Sequence, residues 1–207
     1  MKNFNISFFR KILYPSVILL ILMTLLTGLA YPLIITGVSQ SLFPEKANGS
    51  LIWKDGKFVG SRLIGQNFSK PGYFWGRPSA TSPQPYNAAA SSGSNLGPTN
   101  PQLVDNVKER IARLRKADPG NDLPVPVDLV TSSASGLDPH ISLAAANYQI
   151  KRVARARNMP ENQVRELVNQ YTEPMRFHFL GEPKVNVLEL NLALDKMERA
   201  SIYNKGV

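Results

Sequence analysis

The sequence predicts an α+β protein in which a single N-terminal transmembrane helix precedes a mixed α/β extracytoplasmic domain. Three observations lead to this prediction. From Ile12 to Pro44 the chain has no charged residue. The residues that follow alternate between helical and strand periodicity. A chain of 207 residues also has room for one domain of ordinary size besides such a helix.

The transmembrane helix is predicted over residues 12–38, which is longer than the roughly 20 apolar residues that cross a bilayer. The only charges before it are basic: Lys2, Arg10 and Lys11. The positive-inside rule therefore places residues 1–11 in the cytoplasm and residues 39–207 beyond the membrane.

A cleaved secretory signal is the competing interpretation of the same stretch. Gly28, Leu29 and Ala30 provide small residues near the spacing that a signal peptidase requires. The apolar run continues well past them, which favours a permanent anchor, and Pro32 is expected to kink it. Both interpretations export the rest of the chain.

Composition limits the chemistry that the chain can perform. It has no cysteine, which excludes thiol catalysis, Cys-based zinc sites and iron–sulfur clusters. The net charge of +9 is compatible with binding to nucleic acid or to an anionic membrane. Since no nucleic-acid-binding module is recognisable, we expect a solvated basic surface and no nucleic acid partner.

The first part of the exported domain is predicted to be mostly irregular. Asp55-Gly56 lies between two short alternating runs and predicts a β-hairpin. Residues 69–101 are rich in Pro, Gly, Ser and Asn and follow neither period, so they form a long loop that is functional or disordered; their aromatic residues argue against disorder. Asn100 and Pro101 then start an amphipathic helix that ends near Asp118.

Two further helices and an alternating tail follow. The helices are predicted from Asp138 to about Arg157 and from about Pro160 to Tyr171. The run "KRVARAR" in the first of them is interpreted as a solvated charged face, with acidic lipid headgroups or a partner as the alternative. After it, the chain alternates around Gly181-Glu182-Pro183 and becomes ambiguous beyond Val187.

The stretch "VTSSASGLDPHIS" contains the residue types of a hydrolytic triad in Ser135, Asp138 and His140. It lacks the first glycine of a nucleophile elbow, and triad members normally come from separate elements. We expect Asp138 to cap a helix whose first residue is Pro139, with His140 in its first turn. His140 and His178 have no ligand-spaced partners, so we assign them structural roles and predict no metal site.

Six segments, in order behind one apolar helix, resemble the C subunit of the Kdp potassium-transporting ATPase. They are "GSRLIGQNF", "YFWGRPSAT", "SSGSNLGPTNPQL", "VPVDLVTSSASGLDPHIS", "QIKRVARAR" and "LGEPKVNVLELN". The resemblance covers nearly the whole chain. It implies an accessory subunit of a high-affinity, ATP-driven potassium uptake complex in a bacterial inner membrane, with no catalytic residues of its own.

The partners implied by the resemblance are a potassium channel-like subunit, a P-type ATP-hydrolysing subunit and a small single-span subunit. One expected role is to stabilise their assembly and to shape potassium entry. The alternative is a catalytic chaperone that raises the ATP affinity of the hydrolysing subunit. In that case Gln149, Ser135 and Gly136 meet the nucleotide, although no cofactor is bound tightly. An extracytoplasmic domain cannot touch cytoplasmic ATP, so the two roles exclude each other, and the topology favours the first.

Overall fold

The computed structural model describes residues 6–177 and 179–205, with side chains over residues 10–177 and 179–198. His178 lies outside the described residues, so its structural role stays a prediction. The chain divides into two compact units, Met1–Leu51 and Ile52–Val207.

The first unit contains the long apolar helix. Helices α1 (Ile6–Leu25) and α2 (Tyr31–Leu42) are joined by a π-helical turn at Leu26–Ala30. Within them Arg10–Leu42 is long and apolar enough to cross a membrane, and its most apolar stretch is unburied. The π turn ends at Ala30, two residues before Pro32, where we expected a kink. A π turn is wider than an α-helical turn and so relieves the clash between the proline ring and the carbonyl four residues earlier. A short helix α3 (Pro44–Ala47) follows.

The predicted hairpin follows, and all of it except Leu51 belongs to the second unit. Strands β1 (Leu51–Lys54) and β2 (Lys57–Ser61) form a two-stranded sheet. Both turn residues, Asp55 and Gly56, have positive φ angles of 52° and 72°. These are the angles that a two-residue type I′ turn requires, so the hairpin prediction is confirmed.

Helix α4 (Pro101–Ala117) begins where the sequence indicated. The Asn100 side chain accepts from the Gln102 N–H, and Arg115 and Lys116 stand in the last turn. The following proline-rich stretch, residues 119–126, forms neither helix nor strand before a short 3₁₀ helix at Val127–Leu129. Helix α6 (Glu161–Gln170) also lies where predicted, and its apolar residues Val164, Leu167 and Val168 are buried.

The predicted start of the helix at Asp138 is wrong. Helix α5 is Leu143–Arg157, and Ser142 caps it by accepting from the Ala145 N–H. Residues His140–Ser142 instead form strand β3, with Ile141 buried. Pairing with a distant strand overrides the local helix-start signal of Asp138 and Pro139. The Asp138 carboxylate accepts the His140 N–H instead, at 3.0 Å.

The strand partner of β3 comes from the tail. Strands β4 (Thr172–Glu173) and β5 (Lys184–Asn186) complete an antiparallel sheet in the order β3-β5-β4, with Ile141 opposite Val185. The alternating prediction is thus confirmed for β5, whereas Arg176 and Leu180 form only an isolated bridge. The ambiguous segment is helix α7 (Val187–Lys205).

One hydrophobic core joins the helices and the sheet of the second unit. It draws on α5, α6, α7, the two longer strands of the sheet and the aromatic residues of the irregular segment. Its fully buried members include Phe74, Ile141, Ala145, Ile150, Val153, Val164, Val168, Val185, Leu190 and Leu194. The irregular segment is therefore part of the core, as its aromatic residues indicated.

Candidate functional site

The irregular segment of residues 69–101 is held by two buried carboxamides. The Phe74 N–H donates to Asn191 Oδ1 at 2.8 Å, and Asn191 Nδ2 donates back to the Phe74 carbonyl at 3.0 Å. Gln149 forms the same two-way pair with Trp75, at 2.8 and 3.1 Å. Each carboxamide thus replaces the neighbouring strand that an extended backbone normally pairs with.

Gln149 is 1% exposed, and its polar atoms are all engaged inside the domain. Besides the Trp75 pair, its Nε2 donates to the Ala145 carbonyl at 3.2 Å, and its Oε1 accepts from Arg152 Nη2 at 2.6 Å. A nucleotide would reach this amide only after those bonds had broken. In this structure the side chain acts as a structural brace, by which we mean that its hydrogen bonds to the Trp75 main chain hold the irregular segment against α5.

Two arginines of α5 extend the same brace. Arg152 donates to the Pro71 and Tyr73 carbonyls and lies 4.4 Å from the Trp75 ring centroid. Burial lowers the pKa of Arg152 to about 10, so the guanidinium stays charged at neutral pH. The solvated charged face expected for this run is therefore wrong at Arg152, which is buried.

Arg157 is also withdrawn from solvent. Its guanidinium donates to the Gly72 carbonyl and forms ion pairs with Asp195 at 2.9 Å and Glu198 at 2.6 Å. It also covers the Tyr73 ring at 4.6 Å. Helices α5 and α7 and the start of the irregular segment thus meet at one arginine, because a planar guanidinium can serve carbonyl, carboxylate and ring together.

Ser135 and Gly136 hold a later part of the irregular segment. The Ser135 carbonyl accepts the Ser92 N–H at 3.0 Å, and the Gly136 carbonyl accepts the Ser79 hydroxyl at 2.7 Å. Gly136 is buried with φ at +67°, and a Cβ there would lie 2.6 Å from the Ser92 carbonyl oxygen. Only glycine fits this position.

The resemblance associates three residues with a nucleotide. In the structure these residues form hydrogen bonds with different parts of one loop. Gln149 holds the loop at Trp75, and the other two hold it near Ser79 and Ser92. Ser135 itself is exposed, and its hydroxyl accepts the Leu137 N–H at 3.1 Å.

A charged group lies where the helix start was expected. Asp138 pairs with Arg77 at 3.2 Å and with His140 Nδ1 at 3.5 Å, and His140 Nε2 lies 3.6 Å from Glu173. Burial raises the pKa of Asp138, but hydrogen bonds from His140 and the charge of Arg77 outweigh it and hold the pKa below its usual range. Among the described contacts, no hydrogen bond joins the Ser135 hydroxyl to His140, which argues against a triad.

Sequence reasoning missed the part played by Asn191. The signal was an asparagine among the leucines of "LELNLAL", where a polar side chain that becomes buried needs a hydrogen-bond partner. Its partner precedes it by 117 residues. No local pattern identifies a partner at that distance.

Comparison with known proteins agrees with the resemblance. The family model described as "KdpC: K+-transporting ATPase, c chain" matches residues 13–196. A potassium-transporting ATPase KdpC subunit of Polaromonas naphthalenivorans is 64% identical over 91% of this chain and 96% of its own length. KdpC subunits of Methylococcus capsulatus and Dechloromonas aromatica are 63% and 60% identical, over 88% and 92% of this chain and 96% and 100% of their own lengths.

Proposed function

The chain belongs to the KdpC family of K⁺-transporting ATPase subunits, and from this premise we propose that it stabilises the assembled potassium uptake complex from the outer side of a bacterial inner membrane. The proposed partners are the channel-like subunit, the ATP-hydrolysing P-type subunit and a small single-span subunit. The second unit of the chain covers the outer face of the channel-like subunit and shapes potassium entry.

The apolar helix is the observation that carries this proposal. Over Arg10–Leu42 its most apolar stretch is unburied and suits packing against lipid or other membrane helices. The basic residues Arg10 and Lys11 stand at its N-terminal end, and the next charge is Glu45. By the positive-inside rule this supports a cytoplasmic N-terminus and an exported second unit.

Exposed aromatic pairs support the contact with partner subunits. Phe177 and Phe179 are 72% and 77% exposed, and their ring centroids lie 6.4 Å apart. Trp53 and Phe58, in the hairpin, are 63% and 56% exposed with centroids 6.0 Å apart. Clusters of exposed aromatic side chains mark surfaces that other molecules cover.

Topology is tested with an introduced cysteine. The native chain has none and Ser135 is exposed, so Ser135→Cys provides a single reactive thiol. We expect a membrane-impermeant maleimide to label it in intact spheroplasts, whereas Lys2→Cys reacts only after the membrane is opened. Labelling of Ser135→Cys only after permeabilisation would place the second unit in the cytoplasm and end this proposal.

Assembly is tested by deletion and by surface substitution. Removing residues 52–207 while keeping the anchor should lower both the yield of complex and its potassium affinity; if neither changes, the proposed role is wrong. The double substitution of Phe177 and Phe179 by Asp should reduce recovery with a tagged hydrolysing subunit. Val127→Asp, which changes a single exposed apolar residue elsewhere, is the matched control and should leave recovery unchanged.

A further inference from the structure

A cavity of about 250 Å³ lies between helix α4 and the irregular segment. Its walls include the aromatic residues Phe68, Trp75 and Tyr86 and the arginines Arg77, Arg110 and Arg113. None of its lining residues is an Asp or a Glu. Three arginines therefore line one cavity that has no carboxylate residue in its wall.

Only one of these three arginines has a carboxylate partner among the described residues. Arg77 pairs with Asp138 at 3.2 Å. Arg110 is held by neutral acceptors, the Val130 carbonyl at 2.8 Å and the Ser132 hydroxyl at 3.5 Å. The positive charge of Arg110 is thus positioned but not neutralised.

Arg113 is positioned by an aromatic ring. Its guanidinium carbon lies 5.0 Å from the Trp75 ring centroid, and Trp75 in turn is fixed through its main chain by Gln149. A cation–π contact orients a guanidinium without using its N–H donors. The donors of Arg113 stay available to an acceptor in the cavity.

Desolvation makes the uncompensated charge costly. Burial lowers the pKa of Arg110, whereas Glu109 raises it by a smaller amount. A partly buried guanidinium with no carboxylate within ion-pair distance is still destabilised, and an anion placed beside it lowers that cost. The cavity therefore favours an anionic occupant over water.

From these contacts we propose that the cavity binds a phosphate group, between Arg110 and Arg113. Two free positive charges match the dianionic charge of a phosphate monoester, and the guanidinium fork matches the spacing of phosphate oxygens. The volume accommodates the phosphate and a small substituent. The phosphate comes either from a soluble phosphate or from a lipid headgroup, and both present the same oxygens.

The test is a calorimetric titration of the full chain in a non-ionic detergent, which carries no phosphate, with inorganic phosphate at about 0.15 M chloride to screen weak surface binding. We expect saturable binding that Arg113→Gln weakens by roughly tenfold, the effect of losing one charge-assisted pair. Arg110→Gln should do the same. Because it also loses the Val130 bond, circular dichroism checks its fold, and Arg113→Gln carries the test if Arg110→Gln unfolds.

The control is Arg115→Gln, which removes the same charge from an exposed position of the same helix outside the cavity. Its affinity should equal that of the unchanged chain. Absence of saturable binding, or equal weakening by Arg115→Gln and Arg113→Gln, would overturn the proposal. A parallel titration with a short-chain phosphatidic acid identifies the source: tighter Arg113-dependent binding indicates a lipid headgroup, and equal or weaker Arg113-dependent binding indicates a soluble phosphate.

Discussion

Replacing Gln149 by leucine tests whether this residue is a structural brace or a nucleotide contact. Leucine has a similar volume but no polar atoms. The substitution leaves the buried N–H and carbonyl of Trp75 without their partners at 2.8 and 3.1 Å. Each buried, unpaired main-chain group costs about 1–3 kcal/mol, so the free energy of unfolding should fall by about 2–6 kcal/mol. Arg152 keeps its bonds to the main chain but loses its 2.6 Å bond to Gln149, so the loss should lie toward the upper end of this range.

The assay is urea unfolding of the full chain in detergent, followed by tryptophan fluorescence. Trp75 is buried and Trp53 is exposed, and the chain has only these two, so the change in signal reports chiefly on the irregular segment. Gln163→Leu is the matched control. It makes the same chemical change on an exposed face of α6 and should alter the free energy of unfolding by less than about 0.5 kcal/mol.

The two roles of Gln149 give opposite results in the assembled complex. The brace interpretation predicts reduced stability and reduced recovery of complex, with an unchanged KM for ATP in the complex that does form. A loss of stability below about 1 kcal/mol, together with a higher KM for ATP, would refute it and favour the chaperone role.

Three smaller changes test the local structure by the same unfolding assay. Gly136→Ala combines a left-handed φ with a Cβ 2.6 Å from a carbonyl oxygen, so the free energy of unfolding should fall by about 3 kcal/mol. Gly120 also has a positive φ but open space around it, so Gly120→Ala should lower it by only about 1 kcal/mol. Equal losses would contradict the close approach at Gly136. Ser142→Ala should cost about 1 kcal/mol through loss of the α5 cap, and no loss would mean that the helix starts elsewhere. Because the folded pKa of Asp138 lies below its unfolded value, its contribution is fully present above about pH 4 and is lost as the pH falls through the folded pKa. Asp138→Asn should therefore lose less stability between neutral pH and acid than the unchanged chain does, and an identical acid loss would contradict the assigned shift.

Sequence patterns predicted the elements whose causes are local. The hairpin depends on two adjacent residues with positive φ, and the start of α4 depends on Asn100 and Pro101. The apolar helix depends on composition alone. Each of these causes lies within a few residues, where periodicity and capping preferences apply.

The predictions that failed concern residues whose partners are distant in the sequence. Asp138-Pro139 has the residue types of a helix start, yet strand β3 forms there because Ile141 pairs with Val185. Arg152 was expected in solvent because nothing near it reveals that carbonyls some 80 residues earlier need its donors. Within the candidate site, the resemblance named Gln149, Ser135 and Gly136 only as nucleotide contacts, whereas the role of Asn191 and the long-range contacts of all four residues were not predicted.

The pairing of Asn191 with Phe74 has a consequence for how the chain acquires its structure. A bond that spans 117 residues closes a very large loop and forms only after the C-terminal helix exists. During synthesis the irregular segment must therefore emerge long before the groups that order it. Until α7 docks, the aromatic side chains of the irregular segment are exposed to proteases and chaperones. Ordering of this segment therefore depends on the helix that is synthesised last.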